Sequence, residues 1–156
     1  MLKILILGLG NDILCDDGIG IKLAKDLQRE FSSYNYEFLP ASIDGIALLD
    51  VMDGYDKVII LDAFQTKDID IGEVAVLGIE DLKHTVFIGS PHSINLATAL
   101  KMSEKLNYNI PEDIVIIAIN VFDVQTFAEE LSSEIQSQYP QILKKVREII
   151  KDKVNL

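Results

Sequence analysis

Apolar residues follow two rhythms along this chain. Short, nearly unbroken runs alternate with longer stretches in which apolar positions recur at helical spacing. Residues 2–7 form a nearly continuous β-rich run that stops at Gly8, as expected of a central strand covered on both faces. Over residues 18–31 the positions Ile19, Leu23, Leu27 and Phe31 recur every fourth residue, which predicts a helix with one buried face. Residues 34–39 alternate and predict a strand, 45–52 a short helix, and 57–61 a second apolar strand ending at Asp62. Residues 73–77 predict a strand after a polar loop, 93–106 a helix, and 114–119 another buried strand. The tail, 133–154, carries Ile135, Tyr139, Ile142, Leu143, Val146, Ile149, Ile150 and Val154 at roughly helical spacing. Pro140 lies inside it and predicts a kink or a break.

Strand and helix thus alternate, with no repeat, low-complexity tract or linker. This order predicts an α/β fold, a three-layer α/β/α sandwich on a mostly parallel sheet of about five strands, with room for a mixed edge. In such sheets ligands bind beyond the carboxyl ends of the strands. The regions to search are therefore residues 8–20, Asp62 and the loop before Ser93.

Composition changes this picture little. The chain has 156 residues, 49% of them hydrophobic, enough for the core of one domain spanning 1–156. The formal net charge of -11 argues against nucleic acid or an anionic membrane as main partner, since either needs a basic face. A cation or a basic peptide fits better. Cys15 is the one cysteine, so no internal disulfide forms, which fits a reducing compartment. The first apolar run is too short to span a membrane and reads as a buried strand rather than a signal peptide. A cytoplasmic location and a monomer are the expectations.

The first loop reads Gly8-Leu9-Gly10-Asn11-Asp12-Ile13-Leu14-Cys15-Asp16-Asp17-Gly18-Ile19-Gly20. A dinucleotide fingerprint needs a third glycine three positions after the second, and that position is Ile13. Two carboxylates at the start of the next helix would also repel a pyrophosphate, whereas they suit the helix dipole or a cation. The plainer reading is that Asp16 or Asp17 caps that helix; it is the expected role for Asp16, and for Asp17 it competes evenly with ligation. Asp12 reads as a solvated loop residue and Cys15 as packed or idle. Asp62, at the carboxyl end of an apolar strand, is poorly solvated and needs partners; turn capping is its plainer role and site membership the favoured one. His92, in Gly89-Ser90-Pro91-His92-Ser93, lies before a helix at the same sheet edge, while His84 reads as a surface histidine. Two carboxylates and one imidazole converging there would suit a borderline divalent metal such as nickel or zinc, with positions open for substrate.

These residues resemble the nickel-iron hydrogenase maturation endopeptidases, over most of the chain. The family opens on a strand, Gly-x-Gly-Asn, four residues, an acidic pair and Gly-x-Gly, matched here by Gly8 to Asn11, Asp16-Asp17 and Gly18-Ile19-Gly20. Its second landmark, an aspartate ending an apolar strand before alanine, is matched by Asp62-Ala63, and its third, a histidine opening a helix, by His92. The resemblance implies an enzyme that removes a C-terminal extension from the precursor of the hydrogenase large subunit after nickel insertion. It implies that Asp17, Asp62 and His92 are both the metal contacts and the catalytic set. The nickel is borne by the substrate, with another divalent metal as a stand-in in vitro. Some members carry Glu where Asp17 stands. Two departures fall where the family has Asp-Gly-Gly-Thr after its second strand and a glycine and proline after its last. Here those places hold Pro40-Ala41-Ser42-Ile43 and Ile119-Asn120-Val121-Phe122, expected to be loops framing the substrate.

Two other classes compete. A phospho-receiver domain also pairs acids after its first strand and places an aspartate after its third. It then needs a Lys after a late strand, where this chain has Asn120. A non-catalytic nickel chaperone or sensor would use the same three ligands and would bind without cutting. No Ser-His-Asp set is evident, Ser90 and Ser93 being the nearest serines, and Cys15 has no histidine near it in sequence.

Overall fold

Parity along the strands divides the core in two. On β1 (Ile4–Leu9), Ile4 and Ile6 face one side while Leu5, Leu7 and Leu9 face the other. β3 (Lys57–Phe64) and β5 (Asp113–Asn120) divide in the same way. One face packs on α1 (Ile19–Glu30) and α5 (Ser133–Lys153), through Leu23 and Leu27 and through Ile142, Val146 and Ile150. The other packs on α2 (Ile46–Met52) and α4 (Pro91–Ser103), through Leu48, Leu49 and Met52 and through Leu96 and Ala99. The structure, a computed structural model, describes residues 1–31, 36–84 and 91–155, with the backbone alone at 82–84 and 91–95.

With β2 (Tyr36–Ala41) and β4 (Val74–Gly78), the sheet has five strands in the order β2-β1-β3-β5-β4. All neighbours are parallel except β4, which runs antiparallel to β5 at one edge. The three-layer α/β/α sandwich expected from the sequence is the fold observed, and α3 (Ile79–His84) is a short helix that the periodicity did not reveal.

Several element ends differ from expectation for physical reasons. β1 does not stop at Gly8, because Gly8 pairs with both Pro40 and Leu61. β2 includes Pro40 and Ala41, half of the segment expected to be a loop; β2 is an edge strand, where a missing N–H is tolerated. Tyr34, expected to begin that strand, lies outside the described residues. β3 continues past Asp62 to Phe64, since Asp62, Ala63 and Phe64 pair with Ala118, Ile119 and Asn120. β5 likewise continues past Ile119 to Asn120, which was expected to be loop. The helix of the tail is unbroken at Pro140. That proline is exposed, and buried Ile135 before it and Ile142 after it hold both halves to the sheet.

Gly20 explains how closely α1 sits on this sheet. A Cβ there would lie 2.3 Å from the Leu61 carbonyl oxygen and 2.4 Å from that of Leu9. Only a glycine lets the first turn of α1 wedge between the ends of β1 and β3, beside Asp62.

Candidate active site

The loop after β1 is wound around Asp17. Gly10 holds φ +151, and a Cβ on it would lie 2.0 Å from the Asp17 carbonyl oxygen. Asn11 then turns the chain: its side-chain oxygen accepts from Ile13 N–H at 3.2 Å and its carbonyl from Leu14 N–H at 3.1 Å. The Asn11 N–H donates to Asp17 Oδ2 at 2.9 Å. The glycine and asparagine of the opening motif therefore present a buried carboxylate, 7% exposed, on the 3-10 turn Cys15–Gly18.

Capping is the wrong role for both acids. Gly18 is the N-cap of α1, and no side chain bonds there. Asp16, wholly buried, points instead to the segment after β5. Its carboxylate accepts from the N–H groups of Phe122 (3.2 Å), Asp123 (2.8 Å) and Ser132 (2.7 Å), and from the Ser132 hydroxyl at 2.8 Å. Backbone pairing reinforces the tie: Asp16 N–H donates to the Asp123 carbonyl, Cys15 N–H to that of Ala128, and Ala128 N–H to that of Ile13.

Asp62 is 3% exposed and lies two residues before the end of β3. Its parity matches that of Val58, Ile60 and Phe64, so it belongs to the face covered by α2 and α4. Its Oδ1 accepts from the Ala63 N–H at 2.9 Å. The 3-10 turn bearing Asp17 packs against β3, so the structure brings the two aspartates onto adjoining elements at the carboxyl edge of the sheet. His92 is the second residue of α4, and its side chain lies outside the described residues. The backbone still fixes its end of the molecule. α4 covers Asp62's face and leads from its C-terminus into the start of β5, so its first turn lies at the carboxyl edge.

The other candidates contribute little chemistry. Asp12 is exposed, as expected. Cys15 is buried, and burial together with the adjacent Asp16 carboxylate pushes its thiol above the ordinary range, which disfavours a thiolate nucleophile. Ser90 lies outside the described residues, as do the side chains of Ser93 and His84. Among the described residues no group of three or more His, Cys, Asp or Glu side chains is placed to hold a metal, and the His92 side chain is not among them.

Sequence reasoning missed Asn120. It is fully buried at the end of β5, accepts from Thr66 N–H at 2.9 Å, and donates to the carbonyls of Thr66 (3.1 Å) and Ile69 (2.8 Å). It fastens the loop after β3 as Asp16 fastens the segment after β5. The signal was an amide closing an apolar strand, the pattern that singled out Asp62.

Comparison with known proteins places the chain in a family. The sequence profile of the family HycI, hydrogenase maturation protease, matches residues 21–149. The hydrogenase 2 maturation protease of Escherichia coli K12 is 33% identical over 102 residues, 64% of this chain and 62% of that protein. A hydrogenase expression/formation protein HupD from Thiocapsa roseopersicina is 26% identical over 141 residues, 87% of this chain and again 62% of that protein. The chain thus spans less than two thirds of these relatives. Among solved structures, the NiFe hydrogenase maturation protease HybD from Thermococcus kodakarensis superposes with a TM-score of 0.70 at 28% identity, covering 95% of this chain and 99% of that one. The hydrogenase maturating endopeptidase HybD from E. coli gives 0.75 at 22% identity, covering 97% and 94%, a likeness of fold.

Proposed function

The chain belongs to the hydrogenase maturation protease family, and from that premise we propose that it is a peptidase acting on the precursor of a nickel-iron hydrogenase large subunit. It removes the C-terminal extension once nickel is in place. Asp17, Asp62 and His92 grip that substrate-borne nickel, and the grip sets the scissile bond at the carboxyl edge of the sheet. The reading puts the protein in the cytoplasm as a monomer, away from nucleic acid and membranes. Among the described residues no helix is long and apolar enough to cross a membrane.

The observation that carries the reading is the pair of nearly buried carboxylates, Asp17 and Asp62, drawn from distant parts of the chain onto adjoining elements. Buried carboxylates are costly unless they meet donors or cations. Two of them with an imidazole suit a borderline divalent ion. The nickel supplies Lewis acidity toward the bound peptide, while the three side chains supply position. This division of labour fits a site in which the one cysteine is held as a thiol.

The test is cleavage of a matched precursor, nickel-loaded or nickel-free. Only the loaded form should shorten, and Asp17→Asn, Asp62→Asn and His92→Ala should each slow it severely. Equal cutting of the nickel-free precursor would refute recognition through the metal. Tight association with the loaded precursor and no shortening would mark a nickel-binding chaperone instead.

A further inference from the structure

A groove of about 890 Å³ opens between α1 and the first half of α5. It starts beside the loop that holds Asp17, at Asp12 and Gly18, and follows α1 to Lys25 and Arg29. Its charge is divided along its length. Asp12 lies at the site end, with Glu129 and Glu130 on the segment that Asp16 fastens. Lys22, Lys25 and Arg29 form one stripe of α1, at helical spacings of three and four.

Lys22 is already committed. Its ammonium lies 3.4 Å from Asp26 Oδ2 and 4.8 Å from the centre of the Tyr139 ring. Asp26 in turn accepts the Tyr139 hydroxyl at 2.7 Å. Lys25 and Arg29 are exposed and make no hydrogen bond or ion pair among the described residues. That matters in a chain with 25 acidic and 14 basic residues. Outside the groove Lys57 pairs with Asp113, Lys145 with Glu73 and Arg147 with Glu30, while Lys67, Lys101, Lys105 and Lys144 make no ion pair among the described residues; what sets Lys25 and Arg29 apart is their place on the groove wall. Two free cations on the wall of a groove that begins at the site therefore suit a carboxylate brought by a partner.

We infer that this groove is the track for the extension of the substrate, and that Lys25 and Arg29 bind an acidic side chain on it. The inference rests on the peptidase reading above. The extension is the occupant because the groove begins beside the loop that holds Asp17, where the proposed cut lies, and its two cations without acid partners stand further along the same wall. The helix sets the distance: from Asp17 to Arg29 the path is roughly 18 Å at about 1.5 Å per helical residue. An extended peptide advances about 3.3 Å per residue, so the acidic side chain belongs about five or six residues beyond the cut.

The experiment uses nickel-loaded precursors whose extension is a Ser-Gly sequence carrying a pair of Glu residues, moved stepwise from near the cut to its far end. KM should be lowest with the pair about five or six residues on, by about tenfold relative to no pair, with kcat unchanged. In the double variant Lys25→Glu, Arg29→Glu the preference should vanish and a Lys pair at that position should restore KM. Lys144→Glu, Lys151→Glu makes the same change of net charge on α5 outside the groove and should leave the preference intact. A KM indifferent to the position and sign of the pair, or a preference that survives the double reversal, would overturn the inference. Binding of the same precursors is measured in parallel by fluorescence anisotropy. If wild type cuts none of them, the peptidase reading fails, and the charge preference in binding still decides whether the groove takes an acidic chain.

Discussion

Replacing Asp16 should damage the protein through stability before it touches chemistry. The carboxylate holds three backbone N–H groups and one hydroxyl at distances of 2.7 to 3.2 Å. Ser132 can turn its hydroxyl elsewhere, but the N–H groups of Phe122, Asp123 and Ser132 cannot move without the chain. Asp16→Ala leaves these three donors partly buried and unmet. At about 1–1.5 kcal/mol each, the cost is about 3–4 kcal/mol. Asp16→Asn keeps one acceptor oxygen and turns an NH2 toward donors, so it should cost about 2 kcal/mol. Such losses are a large part of the ~5–15 kcal/mol that holds an ordinary domain together. Urea unfolding at pH 7 measures both variants, and amide exchange at Phe122, Asp123 and Ser132 should accelerate beyond the global change. A loss below about 1 kcal/mol for Asp16→Ala, or exchange unchanged at those amides, would refute the assignment of Asp16 as the fastener. The outcome also bears on metal binding. An Asp16 variant that binds nickel poorly at a temperature where it is partly unfolded says nothing about ligation, so binding must be read well below its melting point.

Three further outcomes follow from the packing and the ionisation. Gly20→Ala forces a methyl to within 2.4 Å of two backbone oxygens and should cost about 3 kcal/mol or prevent folding; a thermal melt within a degree or two of wild type would contradict the wedge. Cys15→Ala should leave cleavage within about twofold and native Cys15 should resist iodoacetamide at pH 7.5, because burial and Asp16 hold the thiol protonated; rapid alkylation with loss of activity would restore Cys15 as a candidate nucleophile. The Arg147 guanidinium holds Glu30 below the usual carboxylate range. That pair therefore stabilises the fold above the unfolded glutamate pKa of about 4.3 and loses this contribution as pH falls through the lower folded value. Being partly exposed it is worth under about 1 kcal/mol, so Arg147→Ala should cost that little at pH 7 and less in acid, as read by urea titration under both conditions.

The layers of the fold were legible because burial writes itself into composition. A strand covered on both faces must be apolar at every position, and residues 4–7, 58–61 and 114–119 are. Strand ends were less legible because a ladder ends where its neighbour ends. Pro40 reads as a breaker, yet its strand is at the edge and its partner Gly8 is already in place. Asp62 reads as the residue after a strand, yet Ala118 on β5 keeps it within one. The acidic pair shows the limit most clearly. A 3-10 turn rotates about 120° per residue, so two chemically equal neighbours look in different directions. Asp17 meets the Asn11 amide, while Asp16 meets a segment more than a hundred positions away. Nothing local distinguishes them; the distinction belongs to the loop after β5.

That contrast bears on how the site works. Binding residues on loops need a rigid base to hold them in productive geometry. Three segments meet at the carboxyl edge here, after β1, after β3 and after β5. Asp16 ties the first to the third, and Asn120, at the root of the third, ties down the second, which Gln65 also joins to Phe122 through a 2.9 Å hydrogen bond. Both tethers are fully buried and meet backbone groups, the Ser132 hydroxyl and the Cys15 thiol, so neither has the exposure needed to touch a substrate. Asp17 and Asp62 sit inside the frame these tethers make. On the proposed reading, adjacent residues divide two functions: Asp16 builds the frame and Asp17 works within it. If Asp17 grips the metal as proposed, a change at either position should impair activity, at Asp16 by loosening three segments and at Asp17 by removing a ligand. Hydrogen exchange separates the two cases, since only loss of Asp16 should free the amides of the segment after β5.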